Sequence, residues 1–262
     1  MLETQDLTIR FGGHVAVDRV SCRFEAGTLT AIVGPNGAGK TTYFNLISGQ
    51  LPASEGRVLL QGRDLTALPA PLRTRRGLGR AFQLTQLFPS LSALENVRLA
   101  VQAREQGRGR EGGFRALGGI DFFRVWLDRR DWLDEAEALL AQVRLDAKAA
   151  LPVSALPHGD QRKLEVALLM ALDPLVYMFD EPTAGMSVDE VPVVLDLIRA
   201  LKARRDRCIL LVEHKMDVVS ELSDRIVVLH NGQLVADGEP AGVIASPVVR
   251  QAYLGLAAEE PA

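Results

Sequence analysis

Gly34-Pro35-Asn36-Gly37-Ala38-Gly39-Lys40-Thr41 has the residue types and spacing to hold a chain of phosphates. Its glycines let successive backbone N–H groups turn inward around phosphate oxygens, and a helix starting at Lys40 would add the positive end of its dipole. Lys40 is long enough to reach the outer phosphates, and Thr41 carries a hydroxyl suited to Mg²⁺; Thr42 extends the same polar edge. A second cluster of chemical residues, Asp180-Glu181, closes the apolar run Leu175 to Phe179. Asp180 suits a Mg²⁺ ligand, direct or through water, and Glu181 suits a general base that takes the proton of an attacking water.

Both clusters need strands that end at a common edge. Leu29 to Val33 supplies one such strand before the glycine loop, and Tyr43 to Ile47 supplies the helical run after it. Leu175 to Phe179, Ile209 to Val212 and Ile226 to Leu229 are nearly continuous in apolar character, as strands covered on both faces of a parallel sheet would be. Val191, Val194, Leu195, Ile198 and Leu201 share one helical face between them. The alternation predicts an α/β core whose ligand site lies at the carboxyl ends of the strands. Asn231-Gly232, followed by Gln233 to Ala236, predicts a hairpin and hence an antiparallel portion.

Residues 85 to 155 read as helical. Ser92-Ala93-Leu94-Glu95 forms a capping box opening a helix with Leu94, Val97 and Val101 on one side, and a second helix carries Trp132, Ala136, Leu139, Leu140 and Val143. Arg104 to Gly119, rich in Gly and Arg and poor in apolar periodicity, is expected to be a mobile loop joining them.

The 262 residues carry a net charge of −3, which argues against a general attraction to nucleic acid or anionic lipid. Arg73, Arg75, Arg76 and Arg80 make a basic cluster, expected as a solvated face because no set of stacking aromatics accompanies it. No apolar run approaches the roughly 18 residues that span a bilayer, and no signal-peptide pattern opens the chain, which predicts a cytosolic protein unless a partner holds it elsewhere. Cys22 and Cys208 lack metal-ligand spacing and are expected as small reduced core residues.

With these motifs in order, the chain resembles an ATP-binding subunit of an ABC transporter along nearly its whole length. The resemblance implies a P-loop NTPase core of mixed sheet with an antiparallel β portion and a helical subdomain, binding ATP and Mg²⁺. It also assigns further residues. Gln83 falls at the glutamine that completes the Mg²⁺ shell, His214 at the switch histidine that contacts the terminal phosphate, and Phe11 at the aromatic that stacks on adenine. Leu156-Pro157-His158-Gly159-Asp160 aligns with the family signature, ordinarily Leu-Ser-Gly-Gly-Gln, which serves the ATP of the opposite subunit. Pro157 removes a hydroxyl and a backbone N–H from that segment, and Ala184-Gly185-Met186-Ser187 lacks the aspartate usual at the end of the following loop.

Asp180 through Met186, with Ala236-Asp237-Gly238-Glu239-Pro240 and Ala252-Tyr253-Leu254-Gly255, resembles subunits that energise branched-chain amino acid uptake. The implied organisation is one cassette over 1–255: an α/β core from 1–84 and 156–238, a helical subdomain over 85–155, a C-terminal segment over 239–255 and a tail over 256–262. Implied partners are separate membrane permeases, a second ATP-binding subunit and, indirectly, a solute-binding protein, with no nucleic acid expected. The implied location is the cytoplasmic face of the inner membrane. Lipid export, a soluble ABC-type ATPase and a regulatory cassette that binds ATP without turnover are the alternatives.

Overall fold

A computed structural model describes residues 1–81, 87–111, 130–247 and 249. The chain divides into two compact units, the first comprising 1–80, 175–181 and 199 onward, the second 81–174 and 182–198.

The first unit holds two sheets. The larger has the order β10-β9-β3-β8-β7-β6, built from β3 (Leu29–Val33), β6 (Leu78–Ala81), β7 (Val176–Asp180), β8 (Cys208–Val212), β9 (Arg225–His230) and β10 (Gln233–Gly238). Strand β3 runs parallel to both β8 and β9, and β7 parallel to β8, so these strands finish at one edge. Their apolar continuity has the expected cause: Ile32 faces one core with Met178, Leu210 and Leu229, while Ala31 and Val33 face another with Ile226 and Val228. The second core is closed by Val219 of α7 (Met216–Leu222) and Val243 of α8 (Pro240–Ala245). The β9–β10 hairpin turns through Asn231 and Gly232 at φ 48° and 77°, the paired left-handed conformations of a type I′ turn.

The smaller sheet is antiparallel, ordered β2-β1-β4-β5, from β1 (Leu2–Phe11), β2 (His14–Phe24), β4 (Glu55–Leu60) and β5 (Arg63–Asp64). Helix α1 (Lys40–Ser48) buries Tyr43, Phe44, Leu46 and Ile47 in the core that this sheet shares with the larger one. Tyr43 reaches a hydroxyl partner inside that core, Oγ1 of Thr4, at 2.7 Å. Cys22 and Cys208 are buried free thiols, and burial pushes them up to about 11 and about 12 respectively, so both stay protonated core residues.

The basic cluster is a solvated face only at Arg75 and Arg76, which are exposed; Arg73 and Arg80 turn inward. Arg73, on α2 (Ala70–Arg75), is 2 % exposed and donates to the carbonyls of Leu46, Ile47, Thr66 and Leu68 at 2.6 to 2.8 Å. Leu46 and Ile47 lie in the last turn of α1, so the guanidinium caps a helix end whose carbonyls lack intrahelical donors. Arg80 is buried as well, with partners described below.

The second unit is built on α3 (Ala93–Glu111), α4 (Arg130–Gln142) and α5 (His158–Leu172), with α6 (Val191–Ala203) beginning in it. Ser92 caps α3, its Oγ accepting the N–H of Glu95 at 3.1 Å. Only half of the box forms, because the Glu95 carboxylate pairs with Arg98 instead. The buried stripe is Ala93, Val97, Ala100 and Val101, with Leu94 half-buried. Of the loop expected over Arg104 to Gly119, residues 104–111 are corrected to helix and 112–119 lie outside the described residues: α3 continues to Glu111, with Arg104 donating to both carboxylate oxygens of Glu135 at 2.7 Å and to the Ala171 carbonyl at 3.0 Å. An ion pair, invisible to apolar periodicity, carries the helix past its last hydrophobic residue.

Candidate active site

The glycine loop hangs between β3 and α1. Gly34 and Gly39 are required by close approach: a Cβ at Gly34 would stand 2.1 Å from the Leu229 carbonyl oxygen, and one at Gly39 2.5 Å from that of Ala16. Gly39 also takes φ 95°. Backbone bonds Ala38 N to Pro35 O at 3.1 Å and Gly232 N to Ala38 O at 3.0 Å fix the loop from within and from the β9–β10 turn. Asn36 and Gly37 are exposed at its crest, Thr41 is exposed and Thr42 half-buried.

Gly39 is the N-cap of α1 and offers no side chain to its first-turn amides, so those N–H groups face the loop. Lys40 is 6 % exposed, and its Nζ donates to the carbonyls of Gly34 at 2.7 Å and Pro35 at 3.0 Å. Burial pulls its pKa down, while Glu181 and Asp180 act in the opposite sense. Uncapped amides and a lysine held by neutral carbonyls fit a polyanion, since among the described residues no carboxylate side chain bonds to that ammonium.

At the edge where β7 and β8 finish, Asp180 pairs in register with Val212 and is 6 % exposed. Glu181 takes φ 51°, and its N–H donates to the Val212 carbonyl at 2.9 Å. A left-handed glutamate is uncommon away from glycine positions. Here the turn points Glu181 at His214, whose Nε2 lies 2.7 Å from Glu181 Oε1, both side chains being 41 % exposed. Glu213, 3 % exposed, accepts the N–H groups of His214 and Lys215 and so sets the turn that carries the imidazole. Its role had no mark in the sequence beyond adjacency to His214.

Asp180 has a buried cationic partner. Arg80 donates from one terminal nitrogen to Asp180 Oδ2 at 2.6 Å and from the other to Asn45 Oδ1 at 2.7 Å and Ser48 Oγ at 2.9 Å. Its guanidinium lies 5.3 Å from the Phe44 ring centroid. Among the described residues no group of three or more His, Cys, Asp or Glu could hold a metal ion. Thr41 offers a hydroxyl and Asp180 a carboxylate, oxygen donors of the kind a hard cation takes.

Phe11 is 50 % exposed, closing β1 opposite His14. The hairpin it begins leads into Ala16, whose carbonyl backs onto Gly39. Gln83 lies outside the described residues.

The signature-like segment belongs to the second unit. Leu156 is buried, Pro157 is the N-cap of α5 with φ −57° and ψ 156°, and His158 and Gly159 open the helix. The proline thus precedes the first helical turn, where no intrahelical N–H is required of it. Asp160 is 4 % exposed and consumed internally, bonding Lys148 and, at 2.9 Å, Lys163. Burial alone would raise its pKa, but hydrogen bonds from Lys148 and Lys163 hold it below the usual value. A Cβ on Gly159 would stand 2.1 Å from Glu190 Oε1, and Glu190 also accepts from Ser187 N at 3.1 Å and Oγ at 2.9 Å. Ser187 and Glu190 form half of a capping box before α6, the carboxylate accepting the Ser187 N–H, which the residue pattern had not been read for.

The first unit thus brings together Gly34 to Thr42, Asp180, Glu181 and His214, while Leu156 to Asp160 sit in the second. The sequence profile of the ABC transporter family matches residues 17–184. The chain is 36 % identical over 257 residues to the high-affinity branched-chain amino acid transport ATP-binding protein BraF of Pseudomonas aeruginosa, covering 98 % of each chain. It is 34 % identical over 256 residues to a probable branched-chain amino acid transport ATP-binding protein of Archaeoglobus fulgidus, covering 97 % of this chain and 95 % of that one. A solved ATP-binding cassette of an ABC transporter in its ADP conformation superposes with a TM-score of 0.77 at 28 % identity, covering 98 % and 99 % of the two chains. Among the described residues no helix is long and apolar enough to cross a membrane. The chain belongs to the ABC transporter family, as a nucleotide-binding ABC ATPase.

Proposed function

We propose that this chain binds and hydrolyses Mg-ATP to energise import of branched-chain or related amino acids through separate permease subunits. The full-length likeness to branched-chain amino acid transport ATP-binding proteins supports the solute class. The reading of the site rests on Lys40, a buried ammonium whose only carbonyl partners in the loop are neutral.

In this reading the backbone N–H groups of residues 36 to 41 and the Lys40 ammonium bind the β- and γ-phosphates, and Phe11 stacks on adenine. Mg²⁺, when bound by Thr41, Asp180 and Gln83, would neutralise charge on the phosphate oxygens. Glu181 orients the attacking water and takes its proton as water oxygen bonds to the γ-phosphorus and the bond to the ADP oxygen breaks. His214, 2.7 Å from Glu181, holds that carboxylate in line and faces the γ-phosphate. Residues 156–160 serve the nucleotide of a second ATP-binding subunit, so ATP becomes shared glue in the closed pair. Its differential affinity for open and closed states is what would drive the permeases. We read residues 1–255 as one such cassette, held at the cytoplasmic face of the inner membrane by its partners.

The test is equilibrium binding of Mg-ATP to wild type and Lys40→Ala. Affinity should fall by about a hundredfold or more, the scale of a lost charge-assisted phosphate contact in a buried site. Undiminished affinity would remove the loop from the nucleotide site. Loss of branched-chain amino acid uptake on deleting the chain from its cell would support the solute class, whereas intact uptake with impaired lipid export would replace it.

A further inference from the structure

Asp180 has a second cation in its surroundings that the family assignment leaves without a task. Arg80 and Asp180 are 7 % and 6 % exposed and 2.6 Å apart, in an interior where an unpaired carboxylate is costly. The guanidinium does more than neutralise. One nitrogen is held by Asn45 and Ser48, the other reaches Asp180, and the Phe44 ring lies beside the plane. Asn45, Ser48 and Phe44 all stand on α1, the helix that Lys40 begins. A planar fork can span both partners, which a lysine ammonium cannot do with the same geometry.

We propose that Arg80 is a resident counter-cation and positioning brace for Asp180, tying it to α1 and cancelling its charge so that a polyphosphate can enter the loop before the divalent cation does. The inference rests on the nucleotide-site reading above. Lys40 already feels the carboxylates of Asp180 and Glu181, so an incoming anion meets the same field. With Arg80 in place one of those two charges is answered from within the protein. Without it, the divalent cation alone must answer it, and nucleotide binding becomes strongly metal-dependent.

The experiment is titration calorimetry with the non-hydrolysable analogue AMP-PNP, in excess Mg²⁺ and in EDTA. In Arg80→Gln the EDTA affinity should fall by about tenfold while the Mg²⁺ affinity stays within about threefold, the scale of one charge interaction at a partly wet site. Arg80→Lys should fall between, keeping the charge and losing the fork. In an Asp180→Asn background the same Arg80→Gln change should move the ratio of the two affinities by less than about twofold, since partners in one cycle couple. An unchanged ratio in Arg80→Gln, or an equal shift in both backgrounds, would overturn the proposal.

Should Arg80→Gln fail to fold, Arg80→Gln with Asp180→Asn must fold, because removing both buried charges leaves none uncompensated. A double variant as unfolded as the single one contradicts the pairing. Wild-type protein that binds no Mg-AMP-PNP would overturn the site reading and this inference with it. Wild-type binding with an unmoved ratio overturns the inference alone.

Discussion

The phosphate loop and the signature-like segment both sit at the start of a helix, yet they use charge in opposite ways. At α1 the N-cap is a glycine with no side-chain bond, and Lys40 is lent to neutral carbonyls. At α5 the N-cap Pro157 likewise makes no side-chain bond, but the charges of the first turn answer each other: Asp160 engages two lysines, and the Glu190 carboxylate lies over Gly159. A helix start whose lysine is lent to neutral carbonyls differs from one whose charges answer each other. That difference is the physical ground for proposing the anion site at α1.

The largest expected effect breaks the loop side of the contrast. Gly39→Val would drive a Cβ into the Ala16 carbonyl at a left-handed position, and nucleotide binding should fall by about a hundredfold or more. Calorimetry against Mg-ATP measures it, with circular dichroism to show that the fold persists. Next, His214→Ala should slow hydrolysis by about a hundredfold with little change in affinity, because it removes the partner that aligns Glu181. Phosphate release under single-turnover conditions, set beside binding, separates the two effects.

The signature side is sharpened by Asp160→Asn, which should act on stability before it acts on chemistry. The folded Asp160 carboxyl titrates below its unfolded value, so its contribution is present above the unfolded pKa and lost as pH falls through the folded one. Urea denaturation should find the variant about 1 kcal/mol less stable near pH 7, with the gap closing below about pH 4. A gap that fails to narrow as pH falls below about 4 would show the two lysines are not its cause. The smallest effect belongs to Phe11→Ala: half-exposed, it should leave thermal stability unchanged and weaken nucleotide binding by about three- to tenfold.

Much of this was legible where chemistry and strand pattern coincide. Leu29 to Val33, the glycine loop, Asp180-Glu181 and the Asn231-Gly232 hairpin could each be placed from residue type alone, because buried parallel strands leave an unbroken apolar run and left-handed turns demand Gly or Asn. The antiparallel sheet was not placed strand by strand. Asp6 sits at φ 45° within β1, the register to β2 shifts beside it, and Thr4 and Thr8 are buried, so the expected alternation is broken. Arg73 and Arg80 were misplaced as solvated because composition cannot see that carbonyls at the end of α1 and a carboxylate at the end of β7 wait for them. Arg104 extended a helix for the same reason. Long charged side chains satisfied across the fold carry no local signature.

The central claim is that Glu181 performs the chemistry while the loop performs the binding. Single-turnover hydrolysis of Mg-ATP by Glu181→Gln, measured beside its equilibrium affinity, tests this most directly. The account predicts a rate lowered by about a hundred- to ten-thousandfold, with affinity within about threefold of wild type and an ATP-bound pair of subunits accumulating. An unimpaired rate would contradict it.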